Sequence, residues 1–179
     1  IENKKYFLGN RKLLIENKNS NENQEKKEGT YFIKQFVRGN QNNKGSIVQL
    51  SISRKTGDIL ITIAPQKGMN GNLPIFDYEK KMIFNLTEEE IIKTMALFKT
   101  GKEGEVSFPH LNGKNPKTIV FKNSFYNEKP QFQLYVKQGE NGIGFFFNPI
   151  EARVLLKNLE DSISMYNKMN AVLALNNIE

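Results

Sequence analysis

The segment TYFIKQFVRG, from Thr30 to Gly39, alternates rings and cations. Read with the two-residue period of a strand, Phe32, Lys34, Phe36 and Arg38 lie on one side, with Tyr31, Ile33, Gln35 and Val37 on the other. Rings on a sheet surface stack on bases, each worth about 1–3 kcal/mol, and cations between them meet phosphates. Two later segments offer the same chemistry. In QFQLYVKQ, Gln133, Tyr135 and Lys137 oppose Phe132, Leu134 and Val136, and in KTIVFKNSF, Lys122 joins the side of Thr118 and Val120. The competing reading is that aromatics fill the core of a β protein while lysines only solvate its open face. Three strands with one pattern, in a basic chain, keep both readings open.

Other chemistries find little to work with. There is no cysteine, which removes disulfides, zinc knuckles, iron–sulfur clusters and thiol nucleophiles. The one histidine, His110, sits beside a proline in a turn and reads as a surface or loop residue. Glu88, Glu89 and Glu90 are first-turn acids opposing a helix dipole rather than metal ligands, and Glu103 and Glu105 flank a turn without a His or Asp partner. GENGIG falls at a hairpin, not before a nucleotide-binding helix. Ser107, Ser124 and Ser162 lack an elbow motif. The expectation is a binding protein rather than an enzyme, with no cofactor and no metal site.

The whole chain of 179 residues is 38% hydrophobic and 25% charged, values ordinary for one soluble globular domain. No apolar run is long enough to cross a bilayer, and the first 30 residues contain no signal-peptide core, so the chain is expected to be cytoplasmic. Its net charge of +7 favours polyanionic partners through counterion release, yet the same surplus serves solubility. The excess of Asn and Lys, both encoded by AT-rich codons, points to a low-GC bacterial or phage genome.

The elements that must position these residues are punctuated by turns. Residues 1–29, rich in Asn, Lys and Glu, are expected to form a flexible polar arm, interrupted by an apolar island from Tyr6 to Ile15. One domain, 30–179, then begins. TYFIKQFVRG and SIVQLSISRK are strands, KTGD turns into the strand ILITIAP, and a Gly/Pro/Asn-rich loop, QKGMNGNLP, leads through IFDYEK to the strand KMIFNL. A helix follows, with Thr87 as N-cap and Glu90 completing a capping box; Ile91, Met95 and Phe98 form its apolar stripe. EVSFPH, KTIVFKNSF, QFQLYVKQ and GIGFFF are four more strands. The second helix is capped by Asn148, starts at Pro149 and has Glu151 where the first has Glu90; Ala152, Leu155, Leu156, Leu159, Ile163 and Tyr166 face the core. Two β-β-β-β-α units of this kind predict an α+β fold, with antiparallel sheets packed against two helices and one sheet face left open.

This element order resembles the Whirly domain of plant single-stranded-DNA-binding proteins, shared with mitochondrial guide-RNA-binding relatives. GDILITIAP is similar to the family's glycine-started apolar strand ending in Ala-Pro, and IFDYEKKMIFNLTEEE to its aromatic-Asp-aromatic segment with Phe-x-Leu-Ser/Thr before a helix. KGSIVQL falls where the family has a Lys-Gly-started strand implicated in assembly, although Ser46-Ile47-Val48 replaces a more basic, Ala-rich continuation. GFFFNPIEARVLLKNL corresponds to the last strand and helix, so the resemblance spans Thr30 to Lys168. It implies tetramers with central helices, and single strands lying across the sheets with little sequence preference. Lys44 and Gly45 match the Lys-Gly start; Phe76, Asp77 and Tyr78 match the aromatic-Asp-aromatic unit.

The combined expectation is low-specificity binding of single-stranded DNA by a homo-oligomer, in bacterial or phage DNA metabolism or transcription. Phe32, Phe36, Tyr78 and Tyr135 would stack bases, while Lys34, Arg38, Lys44, Lys81, Lys122 and Lys137 would meet phosphates. RNA binding on the same fold, and a protein-interaction module, are the alternatives. In NGIGFFFNP the period leaves two assignments. If Ile143, Phe145 and Phe147 face the helices, Phe146 stands on the open sheet between Gly144 and Asn148, as a stacking platform or, the favoured reading, an interface residue.

Overall fold

Apolar alternation and turn residues resolve into nine strands and two long helices in the computed structural model, which describes residues 30–53, 58–111 and 115–176, with side chains up to Ser164. The expected arm at 1–29 with its apolar island, turn residues 54–57, connecting residues 112–114 and the side chain of Tyr166 lie outside the described residues. Strands β1 (Thr30–Arg38), β2 (Ser46–Ser53), β3 (Ile59–Asn70), β4 (Leu73–Phe76) and β5 (Met82–Asn85) precede helix α1 (Glu88–Thr100). Strands β6 (Gly104–His110), β7 (Lys117–Tyr126), β8 (Lys129–Gln138) and β9 (Asn141–Phe147) precede α2 (Pro149–Asn176). Every pairing is antiparallel. The first sheet runs β1-β2-β3, with β4 and β5 both on β3; the second is the meander β6-β7-β8-β9. The expected α+β fold is present, with one strand more.

That extra strand comes from the segment read as a loop. Pro65 cannot donate a ladder bond and marks where β3 changes neighbours. Its first half pairs with β2 and β5, and its second half, after a register shift between Gln66 and Gly68, forms a hairpin with β4 around Gly71. Gln66 holds the junction from inside, at 6% exposure. Its Oε1 accepts the Asn40 and Gly45 N–H groups at 2.9 and 3.2 Å, and its Nε2 donates to Asn40 O at 2.9 Å. A Cβ at Gly45 would lie 2.0 Å from Arg38 O, so the turn into β2 closes only around glycine.

Both helix starts use the expected capping boxes. The Glu90 N–H donates to Thr87 Oγ1 at 3.3 Å and Glu90 Oε2 accepts the Thr87 N–H at 2.9 Å. Asn148 and Glu151 repeat the exchange at 2.9 and 3.0 Å. The helices bury Ile91 and Phe98, and Ala152, Leu155 and Leu159, against the inner faces of both sheets, where Val48, Leu50, Ile61, Ile63, Phe121, Leu134, Phe145 and Phe147 meet in one continuous core. Polar bonds tie the sheets together at their borders: Ser46 Oγ donates to Gly144 O at 2.6 Å, and Lys117 Nζ to Ile83 O at 2.7 Å. Each sheet thereby keeps an outer face turned away from the core.

Candidate nucleic-acid interface

Residues directly opposite in an antiparallel pair share a face. In the second sheet Tyr135 lies opposite Val120 and Gly144, Lys137 opposite Thr118 and Gly142, and Gln133 opposite Lys122 and Phe146. Phe121, Leu134 and Phe145 occupy the other face and are buried. The outer face therefore presents two rings, two lysines and an amide within adjacent rows. The expected sides of Lys122, Gln133, Tyr135 and Lys137 hold, and of the two assignments open for β9 the structure shows the one with Ile143, Phe145 and Phe147 in the core.

Tyr135 does not stand up from the sheet. A Cβ at Gly142 would sit 1.9 Å from its Oη and 2.6 Å from its Cζ, and one at Gly144 would sit 3.5 Å from its Cδ2. The ring leans across β9 and fills the space two absent side chains leave. Its upper surface stays open, at 45% exposure, beside Phe146 at 52%. A ring held in this way stacks on a base without first losing rotamer freedom. At the border with β6, Glu105 lies opposite Lys122 and places one negative charge at the edge of the cationic area.

The first sheet departs from the sequence reading, because the β1–β2 register shifts between Phe32 and Lys34. Phe32 pairs with Ser51, whereas Lys34, Phe36 and Arg38 pair with Leu50, Val48 and Ser46. A bulge of one residue moves everything beyond it to the opposite face. Phe36 is consequently a core residue at 4% exposure, with its ring 5.2 Å from that of Phe147, and it has no surface to offer a base. Arg38 is likewise turned inward. Its Nη1 donates to Glu151 Oε1 at 2.9 Å, its Nη2 reaches Glu151 Oε2, and its Cζ lies 5.3 Å from the Phe145 ring centre. The guanidinium joins β1 to the capping box of α2 rather than facing an open surface. Lys34 lies on that same side, half-buried.

Phe32, at 57% exposure, remains on the outer face. Tyr78 lies in a short 3₁₀ turn before β5, 43% exposed and hydrogen-bonded to the Gln49 side chain; burial pushes its phenol up from the ordinary value of 10.0, with the Gln49 bond opposing. Lys44 and Lys81 are exposed, the first in the β1–β2 turn, where its N–H donates to Asn40 Oδ1 at 2.8 Å. The outer rows Gln35–Gln49–Thr62–Ile83 and Phe32–Ser51–Leu60–Asn85 hold no Lys or Arg. Of the ten predicted residues, the fold gathers Lys122, Tyr135 and Lys137 on one face and disperses the rest.

Phe146, Gln133 and the glycine pair join that group from outside the predicted set. The signal was present: strict alternation in GIGFFF, and small residues on one side only. His110 is the last residue of β6 rather than a turn residue; its Nε2 lies 2.9 Å from Glu90 Oε1, so that carboxylate serves both the cap of α1 and β6.

No protein-family model matches the sequence, and no curated protein matches it. Solved structures do. WHY1 from Arabidopsis thaliana superposes with a TM-score of 0.54 at 18% identity, covering 81% of this chain and 93% of that one. The plant transcriptional regulator PBF-2 superposes with a TM-score of 0.52 at 16% identity, covering 83% and 88%. The fold is that of the Whirly proteins.

Proposed function

We propose that this chain binds single-stranded nucleic acid, DNA in the first instance, on the outer face of its second sheet. One observation carries the proposal: Tyr135 laid flat on Gly142 and Gly144, with Phe146 beside it and Lys122 and Lys137 flanking them. Rings with open faces suit unstacked bases, which a duplex keeps inside its stack, and the lysines suit phosphates. Stacking is sequence-tolerant because every base has a π-face, so specificity is low. The net charge of +7 favours the same partner. The resemblance to the Whirly family supports single-stranded DNA as the ligand and a homo-oligomer, up to a tetramer; the excess of Asn and Lys supports a role in bacterial or phage DNA metabolism or transcription, and the proposed compartment is the cytoplasm. The role is binding, not catalysis.

The test is fluorescence anisotropy with labelled oligo-dT, a duplex of equal length and oligo-rU, each titrated with the protein. Tighter binding of oligo-dT than of the duplex, weakening steeply with salt, is the expected result. Equal or tighter duplex binding overturns the proposal, and preferential binding of oligo-rU reassigns the ligand to RNA.

A further inference from the structure

Strands β7 and β8 outrun their neighbours. The pairing with β6 ends at Gly104–Asn123 and that with β9 at Phe132–Phe147, whereas β7 and β8 stay paired through Ser124–Gln131, Phe125–Pro130 and Tyr126–Lys129. These rows form a two-stranded arm that turns at Asn127 and Glu128. Alternation carries the outer face of the sheet onto it. Ser124 and Tyr126 share the side of Lys122, and Lys129 and Gln131 that of Gln133, while Phe125 and Pro130 take the opposite side. Tyr126 is more exposed than either Tyr135 or Phe146.

We propose that a bound single strand runs lengthwise along β7 and β8, from Tyr135 and Phe146 onto this arm, where Tyr126 is a further stacking residue. This rests on the single-strand reading of the same face. Charge sets the direction. A path across the sheet towards β6 meets Glu105 opposite Lys122, then Ser107 and Pro109, with neither a ring nor a cation, and the carboxylate repels phosphate. A path along β7 crosses the uncharged row Ser124–Gln131, where Ser124 Oγ lies 2.7 Å from Gln133 Nε2, and reaches Tyr126 with Lys129 opposite it. Glu128 in the turn balances Lys129, so the ring rather than net charge carries the contact. From Val120, the partner of Tyr135, to Tyr126 is about 20 Å of strand, so only an oligonucleotide long enough to span that distance uses both ends.

The experiment titrates labelled oligo-dT of about 3 to about 16 nucleotides, bracketing the site sizes of single-strand-binding folds, at one salt concentration. The proteins are wild type, Tyr126→Ala, Tyr126→Phe and Phe125→Ala, with light scattering for assembly state. Tyr126→Ala is expected to weaken the longest oligomers about tenfold and to leave the shortest within about twofold, because these seat on Tyr135 and Phe146. Tyr126→Phe keeps a ring and retains wild-type affinity at every length. Phe125→Ala, on the opposite side of the arm, stays within about twofold of wild type throughout. Wild-type binding with no loss in Tyr126→Ala at any length overturns the lengthwise path while leaving single-strand binding intact. A loss of equal size at every length, or one matched by Phe125→Ala, overturns it as well. A smaller assembly in Tyr126→Ala overturns it by assigning the ring to contact between copies of the chain. Failure of wild type to bind any length overturns both readings. Both positions are exposed, and matching thermal midpoints confirm that the variants are folded.

Discussion

Tyr135 owes its posture to two residues that have no side chains. Replacing Gly142 with alanine puts a methyl group where the phenol ring lies, so the ring must lift from β9. The Gly142→Ala variant is expected to lose most of the stacking energy that Tyr135→Ala loses, about 1–3 kcal/mol in single-strand affinity, with little change in thermal midpoint. Full wild-type affinity in Gly142→Ala would show that the flat ring is irrelevant to binding. Residue by residue, alternation in the sequence placed the sides of β7 and β8 correctly because their pairing contains no irregularity, while for β9 it left two assignments that only the pairing with β8 decides. It failed for β1, where a single bulged position carried Phe36 and Arg38 to the core side. Nothing local marks that bulge: Ile33 is an ordinary strand residue, and the shift is defined by the partner strand.

Elements were legible where their own residues close their own hydrogen bonds. Thr87 with Glu90, and Asn148 with Glu151, announce helix starts because the capping exchange spans three residues. The β3–β4 hairpin was not legible, since Pro65 suggests a strand end and the bonds that carry the chain past it come from Gln66 to a turn 20 or more residues earlier. The β7–β8 hairpin shows how far a strained turn is tolerated. Asn127 and Glu128 have φ of 49° and 62°, and glutamate has no side-chain device for that region. Glu128→Gly is expected to stabilise the protein by about 1 kcal/mol, read from the denaturation midpoint at unchanged slope. A lowered midpoint would mean that the Glu128 side chain contributes more than its backbone costs.

At the scale of the whole molecule, the order of strands and helices could be read from the sequence, but the distribution of charge could not. The net charge of +7 gives no face, and the rows of the first sheet that present Phe32 hold no Lys or Arg while the second sheet holds Lys122 and Lys137. Single-strand binding is proposed on the second sheet, and the salt dependence of binding tests that location. Anisotropy titrations of labelled oligo-dT at several salt concentrations, on wild type and on Lys122→Ala/Lys137→Ala, give the slope of log affinity against log salt. Loss of two phosphate contacts on a single strand should make that slope shallower by about 1.4. An unchanged slope in a folded double variant would contradict the account.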